Sequence, residues 1–320
     1  LRKKDLRPIR VLLILAAVAV AVVVLFMTLN AKGRWEFILP FRGMKVLSMV
    51  LVAYAIAVST VLFQTVSHNR ILTPSIMGFD SLYVLIQTGL IFTLGSAGLT
   101  ALDPRLLFVI EVAAMVAFSS LLYRWLFSGS SRSLHLLLLV GIVFGVLFRS
   151  LSGFMQRIID PNEFIVLQDR LFANFNSVDG NLLAVSAATV VVVSAVGWRL
   201  MHTFDVLALG RETAINLGID HNRVATIVLM LVAILVSVST ALVGPVTFFG
   251  LLVANLAYQI AGTHKHRFIL PVASLIAIIC IVGGQLVLER IFAFDTALSI
   301  VIEFVGGIVF LALLIRGTAR

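Results

Sequence analysis

The chain has 320 residues, of which 61% are hydrophobic and 12% charged, with a formal net charge of +9. Soluble domains run about 45–50% apolar and about 25% charged, so a soluble enzyme around one buried core, a disordered chain, a collagen and a disulfide scaffold are all excluded. A mean hydropathy of +1.12 and repeated apolar runs near the ~20 residues that cross a bilayer predict an all-α, polytopic integral membrane protein. About ten transmembrane helices are expected, in a single domain over 1–320.

The first segment, LRKKDLRPIR followed by VLLILAAVAVAVVVLFMTL, has the basic-then-apolar order of a signal peptide. Its apolar stretch is longer than a typical signal core, and no small-x-small cleavage site follows before Lys32. It reads as an uncleaved first span over 9–30. Leu1 stands where Met would open a reading frame, so the natural start is expected at an alternative codon or upstream. Further spans are expected over 43–65, 79–101, 105–127, 133–153, 181–201, 223–243, 245–262, 267–289 and 297–315, the seventh and eighth divided at Gly244-Pro245. Lipid offers no hydrogen-bond partner to N–H or C=O, so each span must be helical.

Three connections are long. Segment 31–42 holds AKGRWEFILPFR. Segment 154–180 carries Ile158, Ile159, Phe164, Leu167, Leu171 and Phe172 in a helical pattern, which predicts an amphipathic helix near the outer interface. Segment 202–222 reads HTFDVLALGRETAINLGIDHN. Placing the N-terminus inside gives the inner connections the larger share of the 24 Lys and Arg, so both termini are expected in the cytoplasm. The cations lie in short connections between apolar runs, where they encode topology; nucleic acid is not an expected partner.

Sequence signs of enzyme chemistry are missing. There is no G-x-x-x-x-G-K-[ST] loop to hold nucleotide phosphates, and no nucleophile triad or His/Cys cluster. His264 and His266 have a metal-like spacing, but in a short basic loop they read as surface polarity. The single Cys280 lies in an apolar run and reads as packing. Ionisable residues inside spans are few: Glu111, Arg149, Glu289 and Glu303. Each falls near an expected outer helix end, where interfacial placement or helix–helix pairing accounts for it. An ion-coupled carrier, the competing class, places such a group nearer the midplane.

Segment 202–222 divides as TFDVLALG, RETAINLG and IDHNRVA. Gly210 and Gly218 are natural stops for two short helices, with Asp205 and Thr213 near their starts. Two glycine-broken helical turns between spans suit docking into a partner's groove; a merely structured loop is the plainer alternative.

LGRETAINLGID, Leu209 to Asp220, resembles the coupling segment of the iron–siderophore and cobalamin uptake permeases of ABC importers, the FecCD-like family. Other matches follow in the family's order. Arg42-Gly-Met-Lys45 resembles its R-L-P-R. Gln64, Asn69-Arg-Ile-Leu-Thr-Pro74 and Ile76-Met-Gly78 resemble its Q…N-P-L-A-x-P-x-x-L-G. Gly244-Pro-Val-Thr-Phe-Phe-Gly-Leu-Leu252 is similar to its G-P-I-x-F-V-G-L box, and Gly284-Gln285 and Glu289-Arg290 sit where its ninth span ends. The resemblance covers nearly the whole chain. It departs where the family often reads V-P-H-x-x-R; here the run is Val253-Ala254-Asn255-Leu256-Ala257-Tyr258-Gln259. That departure, with the missing proline of R-L-P-R, resembles the branch that takes up ferric siderophores; cobalamin or haem is the alternative cargo.

The resemblance implies a FecCD/BtuC-like permease fold in the bacterial inner (cytoplasmic) membrane. It implies a second permease chain, a heterodimer being favoured, ABC ATPase subunits that bind ATP and Mg, and a periplasmic or lipid-anchored siderophore-binding protein. No cofactor or metal is expected in this chain itself. Leu209, Gly210, Arg211, Glu212, Ala214, Asn216, Leu217 and Gly218 are implied to couple to the ATPase, and Arg42, Lys45 and Arg290 to face the binding protein. Ser128, Gly129, Ser130 and Ser131 correspond to the cytoplasmic gate, and Gly141, Gly145, Ser152, Glu303, Gly306 and Gly307 to pathway lining or helix packing.

Overall fold

The computed structural model describes residues 6–29, 35–127, 134–176, 178–290, 300–302, 304 and 306–308. The described residues form helices α1 (Leu6–Thr28), α2 (Trp35–Ser67), α3 (Phe79–Ala101), α4 (Pro104–Phe127), α5 (Leu134–Gln156), α6 (Pro161–Leu171), α7 (Gly180–Arg199), α8 (Met201–Leu207), α9 (Arg211–Asn216), α10 (His221–Val243), α11 (Phe249–Ala261) and α12 (His266–Arg290), with a 3-10 turn at Pro74–Met77. Eight of them, all but α6, α8, α9 and α11, are long and apolar enough to cross a membrane. The chain is therefore a multi-span membrane protein. The expected tenth span, 297–315, is represented by helical residues at 300–302, 304 and 306–308.

Helix α2 is the centre of the bundle and packs against α10, α12 and α11. In the central windows of α2 and α10, 72% of residues are buried, against 11% in α1, so α1 is peripheral and leans on α12. Lipid tails are as apolar as Leu, so packing rather than expulsion of water must hold these helices together, and small residues permit it. Ala53, Ala55 and Ala57 on α2, Ala254, Ala257 and Ala261 on α11, and Ala273 and Ala277 on α12 are all fully buried. Gly250 lies against the Thr60 side chain, where any Cβ would collide.

Three elements differ from the sequence expectation. Helix α2 begins at Trp35 and carries Pro40 within it, so much of segment 31–42 is helix rather than connection. The eighth span is short, because the chain turns at Gly244 (φ 98°) and Pro245 before α11 starts at Phe249. A proline cannot supply the N–H that would continue α10. Helix α3 is not continuous: Gly95 has φ 68°, ψ 171°, a conformation essentially reserved for glycine.

That break is closed by α6. Asp160 caps α6 by accepting the Asn162 N–H at 2.9 Å, with Pro161 in the first turn. Glu163 then accepts both the backbone N–H and the hydroxyl of Ser96, the residue after the break. The apolar face of α6 is turned toward α3: Leu167 is fully buried in a small cluster with Ile91 and Leu99, against which Ile159, Phe164 and Leu171 pack. The apolar stripe of the expected amphipathic helix is thus engaged with α3. At the start of α7, Asp179 accepts from Leu182 and Asn181 N–H, and these bonds hold its carboxyl below the ordinary range.

Candidate functional site

The segment between α7 and α10 folds as α8 and α9, joined through Gly210 and closed by Gly218. Gly210 has φ 101° and Gly218 φ 82°, and a Cβ at either would meet nothing within 4 Å. The backbone conformation, not space, calls for glycine at both positions. Asp220 caps α10 by accepting the Arg223 N–H at 3.2 Å. Among the residues expected to couple, Ala214 is fully buried and Gly210 half-buried, whereas Leu209, Arg211, Glu212, Asn216, Leu217 and Gly218 are exposed. Ile215, not among the residues expected to couple, is half exposed, and Leu209 and Leu217 near it in the chain are exposed as well. The available signal was its place as the lone large apolar side chain in RETAIN.

The segment is anchored through α8. Phe204 and Leu207 are each 1% exposed, and the Phe204 ring meets the His266 ring edge-on at 5.8 Å. Asp205 corrects the expectation of a capping role near its own helix start. Its carboxylate instead accepts the His266 backbone N–H at 2.8 Å, at the start of α12, and lies 2.7 Å from His266 Nδ1. His266 Nε2 lies 2.7 Å from Thr65 Oγ1 at the end of α2. His266 is 2% exposed. It is therefore a buried tie between α8, α12 and α2, not the surface polarity expected of it; His264 remains exposed.

Beside this tie lies a cavity of about 420 Å³, lined by Gln64, His68, Arg70, Asp205, Tyr258 and His264 among others. Partial desolvation at its wall holds the His68 imidazole below its ordinary range. Gln64 donates to the Arg70 carbonyl at 2.8 Å, and Asn255 donates to the same oxygen at 3.3 Å. The Arg70 guanidinium lies 4.6 Å from the Tyr258 ring centroid, a cation–π contact. Asn255 and Tyr258 occupy the run where the sequence departs from the V-P-H-x-x-R pattern, and both hold the stretch after α2. Among the described residues, no group of three or more His, Cys, Asp or Glu is placed to hold a metal ion.

Inside the bundle, the turn at Pro74–Met77 is pressed against α5. A Cβ on Gly141 would lie 3.0 Å from Met77 Cα, and one on Gly78 (φ 90°) 3.1 Å from Gly145 N. Gly141 and Gly145 thus admit irregular backbone that protein, not lipid, surrounds. Ser152 is buried and donates to the Phe148 carbonyl at 2.7 Å. Gly306 packs on Leu252, and Gly307 faces open space. Ser128, Gly129, Ser130, Ser131 and Glu303 lie outside the described residues.

At the opposite end, the three expected docking cations converge on the C-terminus of α1. Arg42 donates to the carbonyls of Phe26, Met27 and Leu29 at 2.9–3.0 Å, and Arg290 to Leu29 at 2.9 Å. These are helix-end carbonyls with no partner in their own helix. Lys45 is buried and paired with Glu289, which also accepts from Gln285 at 3.1 Å. Lys45 therefore supports the surface from beneath rather than standing on it. Within the spans, Glu111 is buried and accepts from Gln87 at 2.6 Å, and Arg149 donates to Ser81 at 3.4 Å, so these two residues pair neighbouring helices.

The sequence profile of the FecCD transport family matches residues 8–316. The chain belongs to the FecCD transport family. The petrobactin import system permease protein YclO of Bacillus subtilis (strain 168) is 50% identical over 303 residues, 95% of this chain and 96% of the relative. The petrobactin import system permease protein FatC of Bacillus anthracis is 38% identical over 278 residues, 87% of this chain and 78% of the relative. A solved structure of a metal-chelate type ABC transporter in an inward-facing conformation superposes with a TM-score of 0.85 at 20% identity, covering 97% of this chain and 99% of that one. The FecCD fold is thus shared across the whole described bundle.

Proposed function

We propose that this chain is the permease subunit of an ABC importer that moves a ferric siderophore across the bacterial cytoplasmic membrane. The observation that carries the cargo class is the 50% identity, over 95% of the chain, to a petrobactin import permease. Iron is cargo here, carried inside its chelator, so high-affinity recognition belongs to a separate binding protein and not to this chain.

On this reading the end of the bundle bearing α8 and α9 faces the cytoplasm, as do both termini. The exposed apolar side chains of Leu209, Ile215 and Leu217 enter a groove on an ATPase subunit that binds ATP and Mg, with Arg211 and Glu212 setting register at its rim. Displacement of α8 reaches α2 and α12 through Asp205, His266 and Thr65, because a buried, fully bonded tie transmits movement without first having to be formed. Arg42 and Arg290 present the outer docking surface to the siderophore-binding protein, stiffened by the buried Lys45–Glu289 pair. A second, different permease chain completes the pathway.

Uptake of radiolabelled iron by a deletion strain complemented with this gene tests the proposal. Iron supplied as ferric petrobactin should accumulate in an ATP-dependent way, and cobalamin and haem uptake should be unchanged. Restoration of cobalamin or haem uptake instead would overturn the cargo class. Transport by the purified chain alone, driven by an ion gradient, would overturn the importer reading itself.

A further inference from the structure

A second cavity lies between the spans and is unlike the polar one beside α8. It has a volume of about 910 Å³, near the top of the roughly 300–1,000 Å³ range of small-molecule sites. Helices α1 and α7 form its walls and α2, α10 and α12 its floor. It runs from the end of the bundle that carries α8, where Trp198 and Arg267 stand, toward the middle, where Leu12, Leu231 and Leu235 line it. Val191, which lines it, is exposed on α7, and Ile14 is exposed on α1 alongside, so the cavity lies on an apolar flank of the bundle.

The chemistry of the lining is divided. The hydroxyls within it are already engaged: Tyr54 donates to Ser194 at 2.8 Å, Ser194 to the Val190 carbonyl at 2.6 Å, and Ser274 to the Leu270 carbonyl at 2.9 Å. Its body therefore asks for an occupant without polar groups. The mouth is cationic and aromatic. Arg267 is exposed there, and Trp198, also exposed, is followed by Arg199 at the end of α7. Aromatic rings and cations at such a level meet lipid headgroups.

We propose that this groove is a binding site for an anionic phospholipid, with an acyl chain along the apolar floor and the phosphate at Arg267. Charge complementarity selects that occupant over a neutral lipid: basic pockets between membrane helices hold anionic headgroups, whereas an acyl chain alone does not discriminate. Occupancy fills the groove beside Phe204 of α8, whose ring meets His266, and so stiffens the frame against which α8 moves.

The test uses Trp198 as reporter. In the full-length chain carrying Trp35→Phe and Trp125→Phe, reconstituted in phosphatidylcholine nanodiscs, brominated-acyl phosphatidylglycerol should quench Trp198 at about one-fifth the mole fraction needed for brominated-acyl phosphatidylcholine. Arg267→Ala should abolish that preference, and raised ionic strength should weaken it. Gly197 lines the groove and a Cβ there meets nothing within 4 Å, so Gly197→Phe places bulk in the groove and should remove the preferential quenching. Equal quenching by both lipids would overturn the proposal, leaving only annular contact. Absence of quenching by either would show that no acyl chain enters the groove and would also overturn it. A preference that survives Gly197→Phe would place the lipid elsewhere and likewise overturn it.

Discussion

His266 engages both ring nitrogens and its backbone N–H with partners from two other helices, and it does so with 2% of its surface exposed. Asp205→Ala would leave two of those donors or acceptors stranded. An unpartnered buried polar group costs about 1–3 kcal/mol, so the variant should unfold at lower temperature in detergent, and iron uptake should fall more than the amount of assembled complex does. Asp205→Asn, which keeps an acceptor oxygen, should recover most of the stability. A second residue-scale prediction concerns Lys45 and Glu289. Removing one member of a buried pair costs about 3–5 kcal/mol, whereas exchanging both for apolar side chains is often neutral. Lys45→Met alone should therefore be severely destabilised and the double variant Lys45→Met/Glu289→Leu should not, as thermal unfolding across the double-mutant cycle would reveal. Neither pairing was legible in the sequence. Asp205 and His266 are 61 residues apart and Lys45 and Glu289 are 244 apart, and no local pattern links such positions. Gly210 and Gly218 were legible, because a positive φ leaves its mark on the residue that adopts it.

At the scale of elements, α3 and α6 form one unit. Glu163 supplies the acceptor that the broken third helix lacks at Ser96, and Leu167 seals the contact. Glu163→Ala should raise amide hydrogen exchange at Ser96 and along Pro161–Leu171 while leaving α10 and α12 protected. Equal exchange throughout would show that α6 is held by apolar packing alone. The spans themselves were readable because hydropathy sums over about 20 residues and tolerates local irregularity. That same summation hides the break at Gly95, which sits within an apolar window and whose partner is 67 residues away. The shortness of α11 follows from Gly244-Pro245, a signal that is visible in the sequence but does not tell a boundary between full spans from a turn that delays the next helix to Phe249. The helical pattern of segment 154–180 is legible in the sequence; the packing of its stripe on α3 is not, since an apolar stripe does not name what lies opposite.

For the whole molecule, the two ends of the bundle differ in character. The α8–α9 end exposes Leu209, Ile215 and Leu217, while at the other the cations of Arg42 and Arg290 cap α1. Burying an Ile side chain is worth roughly 1.5–3 kcal/mol, so Ile215→Asp should weaken capture of the ATPase subunit by about tenfold or more without lowering the unfolding temperature of the permease. Unchanged capture would place the docking surface elsewhere. The family is legible from motifs scattered along the chain in a fixed order; the tie that anchors one of those motifs to α2 and α12 is not.

Where Gly78 meets Gly145 and Met77 meets Gly141, main chain lies on main chain with no side chain between them. A side chain can yield by changing rotamer, but two touching backbones form an incompressible stop. The fifth helix and the entrance to the third consequently cannot be pressed closer, so any rearrangement at this joint has to slide them past one another or draw them apart.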